Sequence, residues 1–432
     1  MPQILILADD LSGAADCGVA CVGVGLETIV ALRQTANAPA ADVLSLDADT
    51  RRMPAAEAAR EVDRLMRAYA VTPDLLIFKK IDSTLRGNLG EELAAALQAV
   101  RSVHAQSSRC AAIMAPAFPA IGRTTIGGTQ LAYGQPLHEL DIWRLQGIRG
   151  HARIPEMLRP AGLSCAVMAL DMIRSKQDLL TVRMNAAAQD TDVLICDAET
   201  DDDLFAIASA SMQLACKTIW VGSAGLAYQL PRAAGIARSA AATRISLPSI
   251  CGPLLFVIGS LSRNSLEQIR MLNSSPNTVK ISVPPEVLLA GEQHTAWHAC
   301  SRELEEAIKA RRDAVLSPDS EPRIELEQRQ WITAGLARMA SSVCGQIGAL
   351  IASGGETARA VFDSLGVAQL RLLGELEKGI PVSVTESWSR ALPVITKAGD
   401  FGGPDALLKG SRFLHAEELR IDSPCASGKV IK

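Results

Sequence analysis

The sequence predicts an α/β protein of two domains, each a mostly parallel sheet flanked by helices, with the active site in the interdomain cleft. Three observations carry this. At 432 residues the chain exceeds what one ordinary core organises, so two domains follow. Short apolar runs recur, each ending in a polar or glycine-bearing turn and then a segment of helical spacing, which is the rhythm of βα units. A small-residue, proline-bearing segment from Ala240 to Pro253 separates two strongly apolar strands, placing the domains at 1–245 and 250–432.

In chain order, Gln3 to Ala8 reads as a strand, Asp9-Asp10-Leu11-Ser12-Gly13 as a turn and Ala14 to Leu26 as a helix of small residues. Neighbouring side chains on extended backbone point opposite ways, so one aspartate faces the ligand and the other supports the turn. Asp10 is assigned to the ligand, and helix capping is the rival role, above all for Asp9. Strands follow at Glu27–Leu32 and Asp42–Asp47, the latter ending in Asp49-Thr50-Arg51-Arg52, and a helix at Ala55–Tyr69. Arg51 thus sits in a strand-end loop, with a planar fork suited to a carboxylate.

The stretch from Asp74 to Val100 is the densest in chemistry. A strand, Leu75–Phe78, runs into Lys79, Lys80, Ile81, Asp82, Ser83, Thr84, Arg86 and Asn88, and a helix begins near Glu91. Charged and hydrogen-bonding groups packed this closely at a strand's carboxyl end suit a small anionic ligand. The strand Ala111–Ala115 breaks at Pro116-Ala117-Phe118-Pro119 and leads to Arg123, a second candidate clamp. From Gly134 to Arg159 the pattern is irregular. Strands return at 167–170, 193–197 and 218–222, the last followed by Ser223-Ala224-Gly225.

The second half is furnished differently. Leu254–Ile258 is a strand ending in Gly259-Ser260, with a helix at Leu266–Leu272. Ala314 to Arg329 is polar and proline-bearing and reads as a loop, then a helix covers Gln330–Gln346. The strand Ala349–Ala352 ends in Ser353-Gly354-Gly355-Glu356-Thr357 before the helix Ala358–Leu365. Two glycines at a strand–helix junction expose amides that can cradle phosphate. The strand Leu392–Lys397 leads into Ala398-Gly399-Asp400-Phe401-Gly402-Gly403, another backbone-exposing loop, and the tail after Leu414 reads as peripheral. No Walker A loop and no G-x-G-x-x-G fingerprint occurs.

Composition excludes several classes. A net charge of −4 and 3% aromatics argue against nucleic-acid binding. No apolar run approaches the roughly 20 residues of a membrane span. The start MPQILILADD lacks a basic flank and cleavage site, and the 10 cysteines form no C-x-x-C pair, so a cytoplasmic protein is expected. A homodimer is the default assembly. The residues identify no metal ligands.

ILADDLSGA, KKIDSTLRGNLG, APAFPAIGRTT, VGSAGLA, the Gly259-Ser260 turn, SGGETARAVFDSLG and VITKAGDFGGPDALL occur in this order. So ordered, they closely resemble the four-carbon acid sugar kinase family over nearly the whole chain. The resemblance implies an N-terminal sugar-acid domain, a C-terminal nucleotide domain, and phosphorylation of a terminal hydroxyl by ATP with Mg²⁺. The KKIDST and APAFP wordings imply D-threonate first, with 3-oxo-tetronate and D-erythronate as alternatives. It also implies a sugar-acid pocket of Asp10, Arg51, Lys80, Ile81, Asp82 and Ser83, with Arg86 or Arg123 helping Arg51 to grip the substrate carboxylate. Asp82 or Asp10 would accept the hydroxyl proton, Asp82 being first choice, and Lys80 would offset charge on the transferring group. ATP would be held by Ser260, Gly354, Gly355, Glu356 and Thr357, and near Gly399 and Gly402. A non-catalytic sugar-acid sensor is the reading from a different class; it leaves the glycine-rich second half without a purpose.

Overall fold

The computed structural model describes residues 2–33, 40–104, 109–238, 247–273, 275–319, 328–386 and 388–421. The chain divides into two compact units, 1–30 with 37–241 and 31–36 with 242–432.

Strands of the first unit are β1 (Ile4–Ala8), β2 (Thr28–Ala31), β3 (Val43–Asp47), β4 (Leu76–Lys80), β5 (Cys110–Ala115), β6 (Arg123–Ile126), β7 (Thr129–Ala132), β8 (Gln135–Pro136), β9 (Cys165–Met168), β10 (Val193–Cys196) and β11 (Lys217–Gly222). The large sheet runs β2-β3-β1-β4-β11-β5-β10-β9, and β1 pairs in parallel with both β3 and β4. Helices on both faces bury these strands, so they read as unbroken apolar runs rather than alternating ones. Ile4, Ile6, Phe78, Ile113 and Trp220 belong to one of the resulting core clusters. The helix Leu11–Val22 is almost wholly buried, and Cys17 and Cys21 face the core on it. The strand order reverses at β1, whose neighbours β3 and β4 lie on opposite sides. Crevices at such switch points, beyond the carboxyl ends of the strands, are where ligands bind in open α/β sheets. The register places Ala8 level with Asp47 and with Lys80, so the loops after all three strands leave the sheet together.

The irregular segment has more order than its sequence predicts. Within Gly134–Arg159, β8 completes a small antiparallel sheet with β6 and β7, which lie just before the segment, and short helices cover Asp141–Leu145 and Ile154–Leu158.

The second unit contains β12 (Leu254–Ile258), β13 (Thr278–Val283), β14 (Asp313–Pro318), β15 (Ala349–Ser353), β16 (Gln369–Glu377), β17 (Ile380–Glu386) and β18 (Pro393–Lys397). Their order is β13-β14-β12-β15-β18-β17-β16. The first five pair in parallel, while β17 runs antiparallel to both β18 and β16. Ile258, Ser353 and Lys397 are level in the register, so three loops leave the sheet side by side.

Three expectations need correction. The predicted loop Ala314–Arg329 begins as β14, paired on both sides. Its first residue, Asp313, is buried; its carboxylate accepts the Leu254 amide at 2.8 Å and pairs with His415 at 2.7 Å. Residues 320–327 of that segment lie outside the described ones. The helix expected at Gln330–Gln346 is shorter, Arg329–Ser341. The tail after Leu414 continues a helix, Ala406–Ile421, and residues 422–432 lie outside the described ones. Much of the predicted interdomain segment, 239–246, lies outside them as well.

Candidate functional site

β4 ends in two lysines whose side chains take opposite faces, as extended backbone requires. Lys79 turns inward to Glu92 of the helix Leu89–Val103, at 2.9 Å, with both side chains buried, and also donates to the Lys80 carbonyl. Lys80 turns to the aspartate turn after β1: a methyl group built on Gly13 would lie 2.7 Å from Lys80 Nζ and 2.8 Å from Asp10 Oδ1. Both roles come from one dipeptide, and only Lys80 belongs to the candidate site.

The two aspartates also divide their work. Asp10 is the N-cap of the helix Leu11–Val22, its Oδ1 accepting the Gly13 amide at 2.8 Å, while Oδ2 accepts from Arg51 Nη1. Asp9 makes the bidentate pair with Arg51, at 2.8 and 2.9 Å. Capping therefore falls to Asp10 and not to Asp9, and Asp9 anchors the arginine rather than merely propping the turn. The Arg51 amide bonds the Asp9 carbonyl at 3.1 Å, closing the β3 loop onto the β1 loop. Asn88 Nδ2 fastens the next loop through the Thr50 and Met53 carbonyls.

After β4 the chain makes a tight turn about Asp82. Its Oδ2 accepts from Thr84 N, Thr84 Oγ1 and Arg86 Nε, the last at 2.7 Å, and its Oδ1 from Arg86 Nη2 at 2.8 Å. Arg51 Nη2 stands 3.7 Å from Asp82 Oδ1. Leu85, buried, has φ of 58°, a conformation that costs a side-chain-bearing residue about 1–3 kcal/mol and concentrates at functional turns. From outside the turn, Trp143 Nε1 bonds the Thr84 carbonyl at 2.8 Å and Gln130 Nε2 the Ser83 carbonyl at 3.2 Å. The segment 123–143 thus braces the turn.

Asp9, Asp10, Arg51, Lys80, Asp82 and Arg86 form one cluster of three acids and three bases. Burial alone would favour the neutral form of each buried member, and the opposite charges override it. The Arg86 and Arg51 guanidinium groups hold the Asp82 carboxyl well below the usual carboxylate range. Arg51 and Lys80 lower Asp9. Arg51 is kept firmly charged by Asp10, Asp9 and Asp82. Lys80 is raised despite burial, with the Asp9 and Asp10 carboxylates among the causes.

Arg51, predicted as the clamp for a substrate carboxylate, is thus already engaged by the protein's own acids. Ile81 is buried and contributes its amide to the Gly222 carbonyl. Arg123 joins none of the cluster's recorded bonds among the described residues; it stacks 5.1 Å from the Tyr133 ring centre, and its Nε is buried without a hydrogen-bond partner.

In the second unit the predicted nucleotide residues come together in three loops. Gly354, at φ of 104°, is the N-cap of the helix Gly355–Leu365 and makes no side-chain capping bond, and a helix N-terminus of this kind points its first-turn N–H groups outward, as an anion site requires. Glu356 is the acid of that turn. The Gly354 amide bonds the Lys397 carbonyl at 2.9 Å, and the Gly259 amide the Ser353 carbonyl at 3.2 Å. The loops approach so closely that a side chain at Gly259 would collide with Thr357 Oγ1, and one at Gly399 with Ser260. The helix Arg263–Leu272 holds the third loop by its side chains. Ser265 Oγ bonds the Gly399 carbonyl at 2.7 Å, Asn264 Nδ2 the Asp400 and Gly402 carbonyls, and Gln268 Nε2 the Phe401 and Gly403 carbonyls. Sequence reasoning named the glycines here and missed Asn264, Ser265, Gln268 and Lys397, whose side chains do the holding.

Fold and site together define a two-domain protein: one half presents charged side chains for a small ligand, the other amides and hydroxyls. Residues 4–230 match the family of the sugar-binding N-terminal domain, and residues 255–407 that of the nucleotide-binding C-terminal domain. The D-threonate kinase of Cupriavidus necator is 38% identical over 93% of this chain and 96% of its own. The D-threonate kinase of Salmonella typhimurium is 30% identical over 94% of this chain and 96% of its own, and the 3-oxo-tetronate kinase of Methylobacterium radiotolerans 27% over 92% and 96%. A solved structure from Salmonella typhimurium shares the fold at a TM-score of 0.76 and 20% identity, covering 96% of this chain and 100% of that one. The chain belongs to the four-carbon acid sugar kinase family, phosphotransferases with an alcohol group as acceptor that draw on ATP.

Proposed function

We propose that this chain transfers the γ-phosphoryl group of ATP to the 4-hydroxyl of a four-carbon sugar acid, D-threonate ahead of 3-oxo-tetronate and D-erythronate. The observation that carries the reading is the pairing of a charged strand-end cluster with a three-loop amide cradle in a chain 38% identical to a D-threonate kinase. In the reaction the C4 oxygen bonds to the γ-phosphorus, the bond from that phosphorus to the bridging oxygen breaks, and ADP leaves as the hydroxyl gives up its proton. Alignment and charge neutralisation do most of the work in such a transfer.

Asp82 is assigned to the acceptor hydroxyl. Its carboxylate is ionised and fixed by Arg86 and Thr84, and Oδ1, with fewer donors than Oδ2, can receive a hydrogen bond. Because proton loss comes late in a loose transition state, a weakly basic but rigid carboxylate suffices to orient the hydroxyl. Lys80 offsets charge on the transferring group. Arg51, flanked by Arg86, meets the substrate carboxylate by exchanging its bond to Asp10, the more exposed of its two acids at 16% against 4% for Asp9. Mg²⁺, carried by the nucleotide phosphates, would supply charge neutralisation at the transferring group. Among the described residues no three His, Cys, Asp or Glu side chains gather to cage an ion.

The test is incubation with Mg-ATP and a panel of four-carbon acids, with ADP release measured. ADP formed fastest with D-threonate is the expected result. No ADP above background with any acid rejects the kinase reading, and acid binding without ADP identifies a sensor.

A further inference from the structure

Lys397, the last residue of β18, is 2% exposed and has no bonded carboxylate partner among the described residues. Its ammonium donates to Ser353 Oγ at 3.1 Å and to the Gly399 carbonyl at 2.8 Å, and its own carbonyl accepts the Gly354 amide at 2.9 Å. One residue therefore ties together both glycine loops, with Ser265 Oγ sharing the Gly399 carbonyl. The partners the ammonium bonds are neutral, the Ser353 hydroxyl from β15 and the Gly399 carbonyl, which also accepts from Ser265 of the helix Arg263–Leu272. The charged group acting on it is Asp400, in its own loop. A methionine would fill the same space without burying a charge. Burial lowers the Lys397 ammonium to about 8, and Asp400 offsets that only in part. A buried ammonium with so little counter-charge either gives up its proton or gains an anion.

We propose that Lys397 is a positioning residue of the nucleotide site: its ammonium locks the Ser353–Thr357 and Ala398–Gly403 loops in the shape that receives a polyphosphate, and the bound polyphosphate keeps Lys397 protonated. The inference rests on reading the second unit as the nucleotide site. Binding and protonation are linked, so each favours the other to the same degree.

Calorimetry of ADP binding to the full chain, in two buffers of different ionisation enthalpy, counts protons directly. At pH 8 the diphosphate is already ionised and free Lys397 is about half protonated, so about half a proton is taken up per ADP bound; at pH 6.5 Lys397 is already charged and contributes almost none, and the diphosphate's own ionisation there is read from Lys397→Met and subtracted. Lys397→Met abolishes the uptake and weakens ADP about tenfold or more, while D-threonate affinity stays put. Lys397→Arg, charged throughout this range, restores ADP affinity without proton uptake. Wild-type protein that binds ADP at pH 8 with no proton uptake overturns the proposal, as does undiminished uptake in Lys397→Met. Should the methionine variant fail to fold, the wild-type proton count decides alone. Failure of the wild-type protein to bind ADP at any pH removes the nucleotide site itself, a result distinct from binding without uptake.

Discussion

The two units prepare for an anion by opposite means. In the first, six charged side chains neutralise one another before any ligand arrives: Asp9, Asp10 and Asp82 against Arg51, Lys80 and Arg86. In the second, three loops offer amides and hydroxyls, and the cation behind them, Lys397, is matched by no bonded acid among the described residues. A salt cluster holds its members at fixed places at little electrostatic cost, and binds a ligand by exchanging partners. An amide cradle binds without exchange, but its shape must be enforced by packing, hence the close approaches of Gly259 to Thr357 and Gly399 to Ser260. Substitutions that change charge should therefore hurt the first site most, and substitutions that add bulk the second.

The largest effect is expected at Asp82. Asp82→Asn keeps the shape of the turn but leaves Arg86 and Arg51 without a full counter-charge and the acceptor hydroxyl without its carboxylate. On the proposed role, kcat falls about 10³-fold, within the usual range for losing a positioned acid–base group, while ADP affinity is unchanged. Steady-state kinetics with a parallel nucleotide titration checks this. A fully active Asp82→Asn enzyme takes Asp82 out of the chemistry.

A second experiment separates the charges that hold from those that act. Lys79 and Glu92 form a buried pair directly behind the cluster, at 1% and 4% exposure. Removing one partner strands the other in the interior, a loss of about 3–5 kcal/mol. Glu92→Gln should therefore lower the melting temperature by several degrees while kcat of the folded fraction is retained. A variant that melts like the wild type but loses kcat moves Glu92 from the scaffold into the site.

How much of this could be read in advance differs between strands. Buried parallel strands such as β1, β4, β5, β12 and β15 are continuous apolar runs with turns at their ends, so both the strands and the strand-end residues Asp10, Arg51, Lys80, Asp82 and Arg86 stood out. The antiparallel pair β16 and β17 did not. β16 is half-exposed beyond Leu372 and carries register shifts near Gly374 and Glu375, which blur its alternation. β14 was hidden by its short apolar centre and the polar, proline-bearing residues after it; the part of Asp313 at its start shows only in the structure, where its carboxylate accepts the Leu254 amide. At the site, residue types were legible but pairings were not. Which acid takes Arg51 depends on Ala8 lying level with Asp47 and Lys80, a matter of register across strands far apart in sequence. Lys397 went unnoticed for a related reason: beside a run of glycines it reads as an ordinary strand-end lysine, and only the pairing of β18 with β15 brings it to Ser353.

The smallest of the expected effects tests the other side of the comparison. In Gly399→Ala the new methyl group would overlap Ser260, so one of the two loops must shift. Ser260 cannot swing away freely, since its Oγ accepts the Ser262 amide at 3.3 Å, and Gly399 is pinned through its carbonyl by Ser265 and Lys397. Overpacking of this kind costs roughly 1–3 kcal/mol, which at 1.4 kcal/mol per tenfold is about 5- to 150-fold in nucleotide affinity. KM for ATP should rise by that factor, with sugar-acid affinity untouched because no charge has changed. Were sugar-acid affinity to fall instead while KM for ATP held, the three-loop cradle would not be where ATP binds, and the division of labour drawn between the two units would have to be reversed.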